Sequence, residues 1–258
     1  MIDATHRFDD RAEDYALYRP GYARDLVPRL AAERGLPPGA HVADVGCGTG
    51  LLARSFLDAG CRVTGVEPSD PMRAQAVAQL GGRPGFACHA GTAEASGLPD
   101  ASVDAVVAGQ AFHWFDVERA RAEFLRVLRP GGWVALVWND RGDLSQPFLA
   151  RFDALLVEHC PDYTESLRGP PERERAEVFF GAGRADAGAL RELRLPNPQS
   201  LDWTGVEGRT RSASYVPRSG PAHDALFAQL RELFGAYARG GRVGFGLTTL
   251  VFHGTLAP

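Results

Sequence analysis

Three alternating glycines form the stretch of the sequence with the clearest chemical meaning. Gly46, Gly48 and Gly50 follow an apolar segment that ends at Val45 and precede another that starts at Leu51. Glycines between a strand and a helix let a ligand lie against the backbone, because no Cβ stands in the way. The spacing G-x-G-x-G is one residue shorter than the dinucleotide fingerprint, which aims a helix N-terminus at a pyrophosphate. The pattern therefore favours a ligand held by close approach and polar anchors rather than by a pyrophosphate.

An acidic residue follows at a distance that suits a ribose ligand. Glu67 lies 17 residues after Gly50, at the carboxyl end of the second predicted strand. A carboxylate at that place can accept hydrogen bonds from both hydroxyls of a ribose. The alternative is an ordinary tight turn followed by a solvated strand end. The glycine loop and the acid together favour a nucleoside site.

A histidine and two tryptophans follow the later predicted strands. His113 lies just past the fourth predicted strand, at the end of the sheet where open α/β proteins bind ligands. Its ordinary pKa of about 6.5 suits a general base. The alternative is that His113 only walls the pocket, together with its aromatic neighbours. Trp114 and Trp138 are expected to shape a substrate cavity, and core packing is an equal alternative for Trp138.

An arginine and three tyrosines mark the N-terminal segment. Tyr15, Tyr18 and Tyr22 recur at spacings of three and four, so a helix would place their rings on one face. Arg19 lies among them, and a guanidinium fork can bind a carboxylate through two hydrogen bonds. We interpret Arg19, beside Tyr15 and Tyr18, as a candidate clamp for a carboxylate of the cofactor or substrate. The alternatives are a surface arginine and tyrosines that dock the segment. The segment is also a candidate lid, and residues 170–188 are a second.

The segments that must position these residues alternate in type. Apolar runs of strand length lie at His41–Val45, Arg62–Val66, Gly85–His89, Val103–Ala108, Trp133–Trp138, Leu190–Leu195 and Val243–Leu256. Helical patterns lie at Asp9–Leu30 with a break at Arg19–Gly21, and at Leu51–Ala59, Pro71–Leu80, Phe112–Leu128, Gln146–Cys160, Thr204–Tyr215 and Pro221–Arg239. Strands that alternate with helices at this spacing indicate parallel βαβ units.

The pattern predicts an α/β fold with a Rossmann-like, doubly wound, mostly parallel sheet. We expect seven strands with helices on both faces, an N-terminal helical lid and extra C-terminal helices. A single domain over residues 1–258 is expected. It would contain the lid in 1–35, a cofactor-binding core in 36–140, and substrate-side insertions with the last strands in 141–258.

Composition excludes several classes of function. The net charge is −4 and the sequence pI about 6.0, so neither nucleic acid nor a membrane surface is an expected partner. All 28 basic residues are arginine, which excludes a Schiff-base lysine and a P-loop lysine. The four cysteines form no C-x-x-C pair, so we expect free thiols and no metal. With neither a signal peptide nor an 18-residue apolar run, a soluble cytoplasmic protein is expected.

The motifs resemble those of class I S-adenosylmethionine-dependent methyltransferases of the methyltransferase type 11 group. Within it, the sequence is most similar to the ubiquinone-biosynthesis-like and trans-aconitate-methyltransferase-like branch. The similarity is carried by Asp44–Leu51, Gly65–Met72, Gly91–Val107 and Gln110–Asp116, with Phe8–Tyr15, Tyr18–Tyr22 and Arg126–Gly132 in support. It covers residues 6 to 140 approximately and is specific for the cofactor rather than for the substrate.

The resemblance implies a site for S-adenosylmethionine, with S-adenosylhomocysteine as product. The implied cofactor contacts are Asp44, Gly46, Cys47, Gly48, Gly50, Glu67, Pro68, Met72, Ala93, Glu94, Gln110 and Ala111. Among them, Asp44 would lie near the cofactor amino group and Met72 would pack on the adenine. Cys47 would fill space rather than react. The candidate substrate contacts are Tyr15, Tyr18, Arg19, His113, Trp114, Trp138 and, on resemblance alone, Tyr215.

The expected reaction is methyl transfer to a small-molecule acceptor by in-line displacement, in a monomer or homodimer. Carboxylic acids and polyketide- or quinone-like metabolites are the implied acceptor classes. A general base is needed only if the nucleophile keeps its proton near neutral pH. The alternatives are a protein that binds the cofactor without turnover and an NAD-dependent oxidoreductase. The short glycine loop and the lack of lysine disfavour the oxidoreductase.

Overall fold

The structure, a computed structural model, describes residues 12–141, 144–166, 172–181 and 190–256. Strands within these ranges are β1 (His41–Val45), β2 (Arg62–Val66), β3 (Phe86–His89), β4 (Val103–Gly109), β5 (Leu128–Arg141), β6 (Arg191–Pro196), β7 (Gln199–Leu201), β8 (Val243–Phe245) and β9 (Leu247–Gly254). Helices are α1 (Ala12–Tyr18), α2 (Leu26–Arg34), α3 (Leu51–Asp58), α4 (Asp70–Leu80), α5 (Val117–Val127), α6 (Pro147–His159), α7 (Pro161–Ser166), α8 (Glu172–Phe180), α9 (Trp203–Arg211) and α10 (Pro221–Tyr237).

Seven of these strands form one sheet in the order β3-β2-β1-β4-β5-β9-β6. The first five are parallel, whereas β9 runs antiparallel to both β5 and β6. The strand order reverses between β1 and β4, and open α/β sheets bind ligands at the carboxyl edge beside such a reversal. The predicted Rossmann-like, mostly parallel seven-stranded sheet is confirmed. Its topology indicates a ligand site at the carboxyl ends of β1 and β4.

Each face of the sheet is covered by helices. Along β4, Val106 and Ala108 point into a cluster that contains α5 and α8, while Ala105 and Val107 point into a cluster with α2 and α3. All four side chains are at most 1% exposed. Strands buried on both faces are apolar almost throughout, which explains why β4 and β5 were recognisable as strands.

The C-terminal helices form a cap with a hydrophobic core of its own. Helices α6, α7, α9 and α10 contribute to it together with the two-stranded ribbon of β7 and β8. Leu156 and Leu230 are fully buried at its centre, and Phe148 packs on Phe245 with ring centroids 5.4 Å apart. These are the extra C-terminal helices expected from the sequence.

Several predicted elements are wrong in extent: the strand predicted at Trp133–Trp138 spans Leu128–Arg141, and the helix predicted at Thr204–Tyr215 ends at Arg211. Two further cases have a clear local cause. The predicted helix Phe112–Leu128 consists of a 3₁₀ turn at Phe112–Trp114 followed by α5, because the Asp116 side chain accepts a hydrogen bond from the Arg119 amide and caps a new helix. The predicted strand Val243–Leu256 breaks at Gly246 into β8 and β9. A Cβ at Gly246 would lie 2.5 Å from Nε2 of Gln146, so the chain bends against that side chain.

Part of each candidate lid lies outside the described residues. These parts are residues 1–11 of the N-terminal lid, and residues 170–171 and 182–188 of the second lid. The described part of the second is α8, which packs Ala176, Phe179 and Phe180 into the main core rather than over the sheet edge. None of the helices in the described ranges is both long and apolar enough to cross a bilayer.

Candidate functional site

A pocket lies at the carboxyl ends of β1, β2 and β4. Nine of the twelve predicted cofactor residues line it: Gly46, Gly48, Glu67, Pro68, Met72, Ala93, Glu94, Gln110 and Ala111. Of the predicted substrate residues, Tyr15 and Trp114 line it as well. Ser69, Thr92, Gly109 and Phe115 complete the wall and were not predicted. The pocket therefore brings together residues from both halves of the parallel sheet.

The glycine loop needs its glycines for backbone conformation and for space. Gly46, Gly48 and Gly50 have φ angles of 67°, 54° and 84°, in the left-handed region. A Cβ at Gly46 would lie 2.6 Å from the Ala111 Cβ, and one at Gly50 would lie 2.6 Å from Leu80 Cδ1. Gly50 thus packs below the pocket against α4, whereas Gly46 and Gly48 form the pocket surface.

Glu67 is held in place by backbone amides. Its Oε2 accepts a hydrogen bond from the Gly48 amide at 2.8 Å, and its Oε1 accepts one from the Ser69 amide at 2.9 Å. The side chain is 7% exposed and faces the pocket. These two bonds fix the orientation of the carboxylate at the pocket wall. This geometry suits a pair of ribose hydroxyls.

Asp44 is a fully buried carboxyl group under the glycine loop. Neither oxygen accepts a hydrogen bond of normal geometry from the described residues. Burial raises its pKa to about 7, against the opposing effect of the Ala53 amide and with a further contribution from the charge of Glu67. A buried acid without a partner costs stability. Asp44 does not itself line the pocket, so a cationic amino group of a ligand would pair with it only by reaching beneath the loop.

Tyrosines of the N-terminal segment cover this part of the sheet. Tyr15 lines the pocket, and burial raises its pKa against the effect of the Arg19 charge. Tyr22 lies over Gly109, where a Cβ would be 2.3 Å from the Tyr22 hydroxyl. Burial raises the pKa of Tyr22 well above its ordinary value, with smaller contributions from Tyr15 and Asp44. Tyr22 was not assigned to the site, although its spacing from Tyr15 and Tyr18 was a usable signal.

The other candidates in this segment lie away from the pocket lining. Tyr18 packs on α9, where a Cβ at Gly208 would be 2.3 Å from the ring. The guanidinium of Arg19 lies 5.1 Å from the Tyr15 ring centroid and donates to the Ser212 carbonyl at 3.3 Å. Its Nε is buried with no hydrogen-bond partner in the described structure. Arg19 is thus neither a surface residue nor part of the pocket wall.

Three predicted substrate residues are also placed elsewhere. His113 is exposed at the rim with its ring 4.7 Å from that of Trp114, and it does not line the pocket. Trp138 is a core residue, 5% exposed and packed between Phe112 and Phe252. Tyr215 lies in the C-terminal cap, 5.0 Å from the Tyr163 ring. The 3₁₀ turn after β4 explains the first displacement, because it turns Trp114 rather than His113 toward the pocket.

The remaining predicted cofactor residue, Cys47, lies below the loop and is 7% exposed. Gln110 has a φ of 56°, which is uncommon outside glycine, and its side chain donates to the Asn139 carbonyl at 3.2 Å. Glu94 accepts a hydrogen bond from the Asp116 amide at 2.9 Å. No group of three or more His, Cys, Asp or Glu side chains within the described ranges could hold a metal ion.

Comparison with known proteins agrees with this geometry. The model of the methyltransferase domain family matches residues 43–136, which contain the glycine loop, Glu67 and β4. An uncharacterized methyltransferase of Schizosaccharomyces pombe is 34% identical over 191 residues, which are 71% of this chain and 69% of that protein. An uncharacterized methyltransferase of Mycobacterium tuberculosis is 39% identical over 142 residues, so the chain spans about half its length (55%).

Two further similarities cover more of the chain. A malonyl-[acyl-carrier protein] O-methyltransferase of Methylococcus capsulatus is 38% identical over 208 residues, 79% of this chain and 73% of that protein. The structure of a putative type II methyltransferase from Anaeromyxobacter dehalogenans superposes with a TM-score of 0.65 and 27% identity, and covers 93% of this chain and 99% of the other. The fold and these relatives show that the chain belongs to the class I S-adenosylmethionine-dependent methyltransferase family.

Proposed function

We propose that this chain binds S-adenosylmethionine in the pocket between the glycine loop and Glu67 and transfers its methyl group to a small-molecule acceptor. The observation that carries the proposal is Asp44, a buried carboxyl group whose oxygens lack hydrogen-bond partners in the described structure. It lies under a loop that a nucleoside can approach closely. A methionyl ammonium group would pair with this acid, and a ribose would bind Glu67.

We propose that different segments of the chain contact the methionine, ribose and adenine parts of the cofactor. Gly46 and Gly48 offer a surface without side chains to the methionine and ribose parts. Met72 is 5% exposed at the start of α4 and suits the apolar face of an adenine. Ala93 and Glu94 line the wall beside it. When bound, S-adenosylmethionine supplies a methyl group on a positively charged sulfur.

The main contribution of the protein to the reaction would be to align the acceptor with the methyl group of the cofactor. Holding a nucleophile in line with the methyl group at near-attack distance is worth about 7–11 kcal/mol of barrier. Trp114 and Phe115 form an apolar wall at the same edge of the pocket and would exclude water from the acceptor. The Tyr15 hydroxyl stays protonated near neutral pH, since burial raises its pKa. It is therefore a neutral group at the pocket wall.

The described lining of the pocket contains no histidine that could act as a general base, so we propose an acceptor that reacts without one. The titratable groups of the described lining are Tyr15, Glu67 and Glu94. Glu67 accepts from two amides and Glu94 from a third. A carboxylate or an acidic enol needs no base to react. A relative named for O-methylation of malonyl-[acyl-carrier protein] is consistent with a carboxylate acceptor. We therefore propose carboxylic acids as the first acceptor class.

The test of cofactor choice is calorimetric titration with S-adenosylmethionine, S-adenosylhomocysteine and NAD in parallel. Micromolar binding of both adenosyl sulfur compounds and none of NAD is expected. The absence of measurable binding for both adenosyl compounds would contradict the proposal. A subsequent screen of carboxylic acids, read as release of S-adenosylhomocysteine, tests the acceptor class. Intact cofactor binding without product from any acceptor would favour a binding protein that lacks turnover.

A further inference from the structure

Two cysteines from different elements are in contact beneath the glycine loop. The Sγ of Cys47 lies 3.7 Å from the Sγ of Cys88, on the edge strand β3. They meet across Gly65 of β2, where a Cβ would lie 2.7 Å from the Cys47 sulfur and 3.1 Å from the Cys88 sulfur. Any other residue at position 65 would therefore separate the two thiols.

The two thiols have different environments. Cys47 is buried, whereas Cys88 is partly exposed on the edge strand. The hydrogen bond between the sulfurs lowers the pKa of Cys88, and the charge of Arg73 acts in the same direction against burial. The same hydrogen bond, together with burial, raises the pKa of Cys47 well above its ordinary value. Cys88 is thus the accessible thiolate-forming member, and Cys47 is the protonated partner that can follow it.

We propose that Cys47 and Cys88 form a site of oxidative modification, where a hydroperoxide converts the pair to a disulfide and thereby weakens cofactor binding. The Cys88 thiolate attacks one oxygen of the peroxide, which breaks the O–O bond and gives a sulfenic acid and hydroxide. The Cys47 sulfur then attacks the Cys88 sulfur, and the S–O bond breaks. The departing hydroxide takes the Cys47 proton. Overall, two thiols and one hydrogen peroxide give one disulfide and two waters.

The disulfide would change the shape of the cofactor site. A disulfide bond is about 2.05 Å long, so the sulfurs must approach each other by more than an ångström. Cys47 lies between Gly46 and Gly48, whose amides bind the Val66 carbonyl at 2.8 Å and the Glu67 carboxylate at 2.8 Å. Pulling Cys47 toward β3 displaces both contacts. This effect on affinity rests on the proposed function, whereas the cross-link itself does not.

The experiment compares reduced and hydrogen-peroxide-treated protein. Digestion after arginine separates the four cysteines into different peptides, since Arg54, Arg62, Arg73 and Arg119 lie between them. Mass spectrometry without reductant is expected to find the Cys47 and Cys88 peptides joined, with loss of two hydrogen atoms. Titration is expected to show S-adenosylhomocysteine affinity reduced by about tenfold or more, and dithiothreitol should restore it. Cys88→Ser should keep its affinity under peroxide, whereas the matched control Cys61→Ser should lose it as the wild type does.

Three results would overturn the inference. They are a peroxide-treated protein without the joined peptides, a joined species with unchanged affinity, and a Cys88→Ser protein that loses affinity under peroxide like the wild type. Failure of the proposed function is a separate outcome. It would appear as no S-adenosylhomocysteine binding by the reduced wild-type protein, and the peptide analysis would still decide whether the thiols form a disulfide.

Discussion

At the scale of single residues, we expect Asp44 to link stability to cofactor binding. Its pKa is about 7 in the folded protein, whereas an exposed aspartate in the unfolded chain has a pKa of about 3.9. A carboxyl group whose pKa is raised by folding stabilises the protein fully only below the unfolded value. That contribution is lost as the pH rises through the folded value. The free energy of unfolding should therefore fall between about pH 4 and about pH 7 because of this group.

The substitution Asp44→Asn tests this linkage. Because the amide cannot ionise, the advantage of the variant over the wild type in free energy of unfolding should grow by about 2–3 kcal/mol between about pH 5 and about pH 8. The variant should also bind S-adenosylhomocysteine more weakly, since the amino group loses its counter-charge. Urea unfolding at both pH values and calorimetric titration measure the two effects. The control Asp104→Asn should lose stability instead, because Asp104 accepts from the His41 amide at 2.7 Å and from Arg129. A pH-independent stability difference for Asp44→Asn would contradict the prediction.

Glu67 should determine the affinity for the cofactor. The change Glu67→Gln removes the negative charge that we expect to accept from the ribose hydroxyls. Charge-assisted hydrogen bonds contribute about 1.5–3 kcal/mol, so S-adenosylhomocysteine affinity should fall by about tenfold to a hundredfold. Calorimetric titration checks it, with Glu207→Gln in the C-terminal cap as the matched control. Wild-type affinity in Glu67→Gln would refute the ribose contact.

The part of the pocket at the ends of β1 and β2 was predictable from local sequence, whereas the part under the N-terminal segment was not. Gly48 and Glu67 belong to strand-to-helix junctions whose geometry follows from the strand ends alone. Tyr22 reaches Gly109 only because the N-terminal segment crosses the sheet edge, and spacing along the chain does not encode that crossing. His113 was assigned as a base on its position after β4, but a 3₁₀ turn sets its direction.

At the scale of elements, α1 is held over the sheet edge by the C-terminal cap. The Tyr18 ring covers Gly208 of α9, with no room for a Cβ. One turn further along, Arg19 donates to the Ser212 carbonyl. Since Tyr15 on the same helix lines the pocket, the docking of α1 on α9 should affect ligand binding.

The change Gly208→Ala should undock α1 without unfolding the protein. Alanine is favoured over glycine within a helix by about 1 kcal/mol, so the substitution should not destabilise α9 itself. The added methyl group would displace the Tyr18 ring, and a loosened α1 must be ordered again on binding, which lowers affinity severalfold. Faster hydrogen exchange in residues 12–18 with an unchanged melting temperature is the expected readout. Gly235→Ala in α10 is the control, since its surroundings are open. Unchanged exchange in residues 12–18 would argue against the docking contact.

Element prediction succeeded where a single physical signal dominated. β1 and β2 begin and end at the predicted residues, because buried parallel strands are apolar runs closed by turns. The prediction of element boundaries was wrong where a side chain distant in the sequence determines the boundary. Gly246 bends the last strand against Gln146, and the apolar pattern on both sides of the bend is the same.

At the scale of the whole molecule, short connections join the C-terminal cap to the main sheet. The cap has its own core, yet only two residues separate β6 from β7 and only Gly246 separates β8 from β9. The α1–α9 contact adds a third connection. Unfolding of the cap would therefore disturb strands β6 and β9 at the edge of the sheet. We expect one cooperative transition, as a single domain requires.

The substitution Leu230→Ala tests whether the cap shares this transition. Leu230 is fully buried in α10, and replacing a buried leucine with alanine costs about 2–5 kcal/mol. If cap and sheet unfold together, the loss lowers the midpoint of one transition that near-UV and far-UV circular dichroism report identically. The matched change Leu136→Ala, fully buried in β5 of the sheet, should shift that same transition. Two separate transitions in Leu230→Ala alone would mean that the cap unfolds first. Because α1 docks on the cap, the pocket would then open before the sheet melts, and cofactor would dissociate at the lower midpoint.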